Sequence, residues 1–78
     1  MARTNSPISI THVFGQRVRT RRLELGMSQE RLAEVAGLHR NYVGSLERGE
    51  RNVALLNIVR LANALDFDPA DLVGGLST

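Results

Sequence analysis

Ser28–Gly49, SQERLAEVAGLHRNYVGSLERG, reads as two short helices joined by a tight turn. Ser28 is a good N-cap, and Glu30 puts negative charge in the first turn, where the helix dipole favours it. Leu32, Ala33 and Ala36 follow at apolar helical spacing, and Gly37 supplies a left-handed stop. His39 can cap a second helix, Arg40 to Arg48, whose inner side holds Val43 and Leu46 and whose stop is Gly49. Ala33 facing the β-branched Val43 lets the two helices approach at a steep angle. The pattern is the helix-turn-helix outline.

SQERLAEVAGL, followed by a capped helix ending SLERGERN, resembles the Cro/C1-type (XRE) DNA-binding family. Within that family, HRNYVGSLERGERN is most similar to the small controller proteins of restriction–modification systems. The resemblance runs from Phe14 to Val73. It implies an all-α, compact five-helix bundle of the lambda-repressor-like kind. It also implies a cytoplasmic, sequence-specific transcriptional regulator, working as a homodimer on a (pseudo)palindromic site in double-stranded DNA. Such a regulator acts on its own promoter and on a neighbouring gene, activating or repressing according to where its site lies relative to RNA polymerase. The resemblance further implies that Arg22, set among apolar neighbours, pairs with Glu47 in a structural salt bridge.

Composition sets the outer limits. Seventy-eight residues allow one domain, near the lower end of what builds its own core. With no cysteine there are no disulfides or thiolate metal sites, and apolar runs of a few residues do not span a membrane. All ten basic residues are arginine, so almost nothing titrates between histidine and the single tyrosine; the pI of about 10.4 overstates a net charge of only +2. Distribution says more. Residues 1–51 hold nine arginines against five glutamates, whereas residues 52–78 hold Arg60 against Asp66, Asp68 and Asp71. A basic first half fits a polyanionic partner.

Along the chain, residues 1–9 lack periodicity and contain a Ser-Pro step. They read as a flexible tail from which Arg3 could reach a groove, ahead of one domain over residues 10–76. The first helix is expected from an N-cap at Thr11 to Leu25, with Phe14, Val18, Leu23 and Leu25 in the core. Arg17, Arg19 and Arg21 alternate around its exposed side, with Arg17 the candidate phosphate contact. The fourth helix carries Leu55, Ile58, Leu61, Ala62 and Leu65 at helical spacing, with Asn52 the nearest capping side chain. The fifth opens on Asp68 as N-cap, Pro69 and Asp71, with Phe67 and Leu72 as a hydrophobic staple; Gly74-Gly75 closes it.

The candidate binding residues cluster at the ends of the two central helices. Arg40 can donate two hydrogen bonds to guanine and Asn41 can pair two-pronged with adenine. Gly44 and Ser45 lie one turn further on. Glycine inside a helix costs roughly 0.5–1 kcal/mol relative to alanine, so Gly44 marks a close approach either of DNA or of the preceding helix. Tyr42 either touches DNA or half-buries against a neighbouring helix. Arg48 and Arg51 bracket the helix end, placed for phosphates or simply solvated. Ser28 and Gln29 put free N–H groups and an amide at a positive helix end, a natural phosphate clamp.

An enzyme is not expected: His12 and His39 stand at helix starts, and no metal-binding pairing, phosphate-cradling glycine loop or nucleophile elbow occurs. No catalytic residue, cofactor or metal follows from the sequence. The competing class is an antitoxin or adaptor whose helices mainly bind another protein. Leu56, Phe67, Leu72, Val73 and Leu76 are more apolar residues than a small domain with a saturated core needs, although some must be core. They are the candidate dimer interface, with Val73 or Leu76 near its centre and Asp66 and Asp71 at the rim.

Overall fold

A computed structural model describes the backbone of residues 7–77 and the side chains from Ile10 onward. Five helices follow in order: α1 (Pro7–Glu24), α2 (Gln29–Ala36), α3 (Arg40–Glu47), α4 (Leu55–Ala64) and α5 (Pro69–Val73). No strand occurs among the described residues. Around one core, α1 packs on α3 and α5, α2 on α3 and α4, and α4 on α5. Phe14, Val18, Leu32, Val43, Leu46, Leu61, Leu65 and Leu72 fill that core.

Helix α1 begins at Pro7, not near Thr11, so residues 7–9 are helical; Arg3 lies outside the described residues. The Ser-Pro step is no break, because proline suits a first helical turn, where its missing N–H is not needed. Thr11 therefore does not cap. Its hydroxyl donates to the Gly49 carbonyl at 2.9 Å, tying α1 to the end of α3. Leu23 and Leu25 are exposed rather than core. The inner seam of α1 runs through Phe14, Gly15, Val18 and Arg22, which leaves positions 23 and 25 pointing away from it.

Gly15 decides how closely α1 crosses α3. A Cβ there would collide with the Leu46 carbonyl oxygen and lie 2.7 Å from that of Glu47, so only glycine admits the crossing. Gly49 is constrained twice: its φ is +79°, and a Cβ would come within 2.9 Å of the His12 Cα.

Two arginines of α1 act as helix caps. Arg17 donates from Nη1 to the carbonyls of Leu72 (3.1 Å) and Gly74 (2.7 Å), at the C-terminal end of α5. That engagement commits its Nη1 to the end of α5 and leaves Nε and Nη2 for the phosphate contact expected of it. Arg21 donates to Leu65 O (2.9 Å) and Asp66 O (3.3 Å) beyond the end of α4, and its guanidinium lies 4.7 Å over the Phe67 ring. Cations at these ends meet unsatisfied carbonyls and the negative pole of the dipole.

The start of α4 differs from expectation as well. Its N-cap is Ala54, with no side-chain cap, and Leu55 is 77% exposed instead of lying in the core. Helix α5 has the expected start: Asp68 accepts from Ala70 N at 2.8 Å, and Asp71 accepts from Asp68 N at 3.1 Å, closing a capping box. Leu72 is wholly buried, a core staple unable to serve an interface, and Phe67 is half-buried beneath Arg21.

Gly15→Ala should destabilise the domain by about 3 kcal/mol, the upper part of the range for overpacking. A thermal melt should show a midpoint lowered by roughly 4–8 °C for each kcal/mol in a domain of this size. An unchanged midpoint would mean that α1 and α3 do not cross at this residue.

Candidate nucleic-acid interface

The N-terminal end of α2 is capped by Ser28, whose Oγ accepts from Arg31 N at 2.9 Å. Gly37, at φ +73°, ends that helix and gives its N–H to the Ala33 and Glu34 carbonyls. His39 occupies the N-cap of α3 but makes no side-chain cap bond, so the first-turn N–H groups of α3 keep no such partner. Only a short turn separates the helices, and Ala33 and Val43 are both buried in the core they share.

This pairing brings Gln29, Arg40, Asn41, Gly44 and Arg48 to one open concavity with a mostly polar lining. Arg40 and Asn41 are exposed and make no side-chain bond to any described residue. Beneath the concavity lies the buried ion pair. Arg22 donates from Nε to Glu47 Oε2 at 2.7 Å and from Nη2 to Oε1 at 2.9 Å, and its Nη1 donates to the Met27 carbonyl at 2.9 Å. Both residues are at most 5% exposed. Gln29 Nε2 donates to the same Glu47 Oε1 at 3.0 Å, so the Gln29 side chain joins the interface to the ion pair rather than hanging free for a phosphate.

Gly44 has room. A Cβ there would meet only the tips of Arg48 and Gln29, each at 3.4 Å, so Gly44 is not required by tight backbone packing against α2. Ser45 is not a groove-facing residue: it is buried, donates to the Tyr42 carbonyl at 2.8 Å and accepts from Arg51 Nε at 2.9 Å. The hundred-degree step per residue turns it off the face that Gly44 shares with Arg40. Tyr42 takes the half-buried alternative; its hydroxyl accepts from Asn57 Nδ2 of α4 at 3.3 Å, and Arg51 lies 5.9 Å over its ring. Arg48 pairs with Glu50 through Nε (3.0 Å) and Nη2 (3.2 Å). Those hydrogen bonds hold the Glu50 carboxyl below the usual carboxylate range and push Arg48 further up.

The helix-turn-helix family model matches residues 18–72. The chain belongs to that family, in its Cro/C1-type (XRE) branch. It is 48% identical over 66 residues to the control protein C.BamHI of Bacillus amyloliquefaciens, across 83% of this chain and 82% of that one. The restriction-modification controller protein C.AhdI from Aeromonas hydrophila has a solved structure that is similar at a TM-score of 0.78 and 55% identity, covering 80% of this chain and 94% of that one. The P22 c2 repressor, solved in complex with a synthetic operator, is similar at a TM-score of 0.76 and 30% identity, covering 82% and 97% of the two chains. In a helix-turn-helix the second helix is the one that enters the major groove, and that position in this chain is held by α3, packed on α2.

Residues missed in the sequence reading are Glu50, Asn57 and Gly15. Glu50 was legible only as one more polar loop residue; its proximity to Arg48 in sequence was the available signal. Glu47→Ala should destabilise the domain by about 3–5 kcal/mol, because it leaves the Arg22 charge buried and removes the acceptor of Gln29. Thermal melts of the variant check this, and a wild-type midpoint would place Glu47 at the surface.

Proposed function

We propose that this protein is a dimeric, sequence-specific DNA-binding regulator of transcription of the restriction–modification controller kind. One observation carries the reading: the groove-facing positions of α2 and α3 converge as Gln29, Arg40, Asn41, Gly44 and Arg48 on a single open, polar concavity. The first turn of a recognition helix meets base edges in the major groove, and both Arg40 and Asn41 have the fork geometry for bidentate contacts there. The N-terminal amides of α2 suit phosphates beside this face, and the exposed Arg51, beyond the end of α3, is a further cation for them. The similarity to C.BamHI and C.AhdI supports a controller role, in which the position of the site relative to RNA polymerase sets the sign of regulation.

Dimerisation draws support from α4. Leu55, Leu56 and Val59 are exposed there, at 77%, 61% and 36%, and Val73 of α5 is exposed too. Adjacent apolar side chains of this size in water mark an interaction surface. The proposed contact therefore centres on the first half of α4, with Leu56 and Val73 retained from the sequence expectation and Leu72 excluded by its burial. A two-fold pair would set two copies of α3 about one DNA turn apart, roughly 34 Å.

Two experiments test this. In titrations at several salt concentrations, Arg40→Ala should lose about 1–3 kcal/mol on the selected site and relax preference at one base position. Arg51→Ala should weaken all sequences alike and lower the salt slope by about one. Equal loss of discrimination from both would overturn the assignment. In sedimentation at micromolar concentration the wild type should be dimeric and Leu56→Glu monomeric. A wild type that stays monomeric even on a palindromic duplex would refute the dimer.

A further inference from the structure

We propose that Arg48 is a base-reading residue, pre-oriented by Glu50, rather than a backbone phosphate contact. The proposal rests on the DNA-binding reading above and concerns which part of the DNA this arginine meets. Arg48 occupies the same concavity as Arg40 and Asn41. Glu50 takes one side edge of its guanidinium, through Nε at 3.0 Å and Nη2 at 3.2 Å. On the opposite edge, Nη1 lies 3.4 Å from the point that a Gly44 Cβ would occupy, and Gln29 Oε1 lies at the same distance from that point.

The sense of the Gln29 amide is fixed from below. Glu47 has only acceptors to offer, so it must receive the NH2 group, and Gln29 Oε1 is left facing the Gly44 side. Arg48 thus has its one side-chain acceptor in Glu50, and the absence of a side chain at Gly44 leaves its Nη1 beside the Gln29 end of the concavity. A guanidinium has five N–H donors in a rigid plane. With one side edge on Glu50, the outward N–H of Nη1 and that of Nη2 remain as a two-pronged end.

Charge decides between the two acceptors such a fork fits. A phosphate brought to Arg48 would also approach the Glu50 carboxylate, and like charges at that separation repel. Guanine offers O6 and N7 as a neutral pair of acceptors and suffers no such repulsion. A phosphate contact also needs little more than a cation, whereas base reading needs a fork held in one plane; the Glu50 pair supplies that plane. Both side chains are more than half exposed, so the pair does little for the fold.

The test uses the full-length chain, the duplex it enriches from a random-sequence pool, and a mixed-sequence duplex. Glu50→Gln keeps the size but removes the second carboxylate oxygen and the charge. It should weaken the enriched duplex about five-fold or more while leaving the mixed duplex unchanged or tighter. Arg48→Lys keeps the charge without the fork; it should lose preference at one guanine and retain the wild-type salt slope. Thermal melts of both variants should overlay the wild type. If Glu50→Gln tightens both duplexes equally, Glu50 is only an electrostatic brake and the assignment is wrong. Arg48→Lys discriminating like wild type would equally overturn it. A wild type that enriches no duplex would overturn the DNA-binding reading on which it rests.

Discussion

The Arg22–Glu47 ion pair is the constraint around which the interface is built. Removing two charges from water costs several kcal/mol per ion, and the attraction between them repays it only when every remaining donor and acceptor is met. Here they are met. Glu47 receives Arg22 Nε, Arg22 Nη2 and Gln29 Nε2, and Arg22 keeps Nη1 for the Met27 carbonyl. These bonds join the C-terminal part of α1, the turn before α2, the first residue of α2 and the last of α3. A buried pair of this kind is weak evidence of net stability, since apolar replacements are often neutral or better. What it does here is geometric: bonds of fixed direction hold α2 and α3 to α1 in one register, and Gly15 permits the approach they require.

The arginine chemistry also explains why gross basicity was a poor guide. Two of the three arginines expected along the exposed side of α1 are engaged inside the molecule. Arg17 closes the end of α5 and Arg21 the end of α4, where the chain turns through Asp66 at φ +53° before Phe67. A planar fork serves two carbonyls at once, which a lysine ammonium cannot do with the same directionality. Short helices such as α4 and α5 expose a large share of unsatisfied carbonyls relative to their length, so capping cations from a neighbouring helix matter more to them.

Most of the fold was legible where local chemistry and periodicity agree. Ser28, Gly37, Asp68 and Pro69 each mark a boundary through their own backbone preferences, and α2, α3 and α5 lie where these residues put them. Where one residue supports two structures, the reading failed. Pro7 is compatible with a turn and with a first helical turn, and Thr11 with a cap and with a tertiary donor. Leu55 carries the right spacing for the core, but α4 has barely begun at that point and its first turn projects from the bundle. Glycine inside a helix signals that something approaches, without saying what. At Gly15 it is the backbone of α3; at Gly44 it is only the flexible ends of Gln29 and Arg48. Ser45 and Gly44 are adjacent in sequence, and one turns inward while the other lines the concavity, which only the packing of α3 decides.

On the proposed function, the same packing sets where sequence discrimination has to come from. With a net charge of +2, and with Arg17, Arg21 and Arg22 bound within the fold, fewer cations remain to displace counterions from DNA than the ten arginines suggest. The sequence-independent part of binding is then smaller, and fixed contacts to base edges make up a larger share. Helix α3 has eight residues, a length of about 12 Å, which spans three or four base steps at roughly 3.4 Å each. Its outward residues are correspondingly few, so the orientation of each one counts. A side chain that samples many rotamers contributes less to affinity, because ordering it on DNA costs conformational entropy. Arg48, held by Glu50, has met part of that cost before DNA arrives. Arg40 and Asn41, without side-chain partners among the described residues, meet all of it on binding. A recognition face that is one part preset and one part free makes the preset arginine the less costly one to engage, and its discrimination rests on the two-pronged fit to its acceptors.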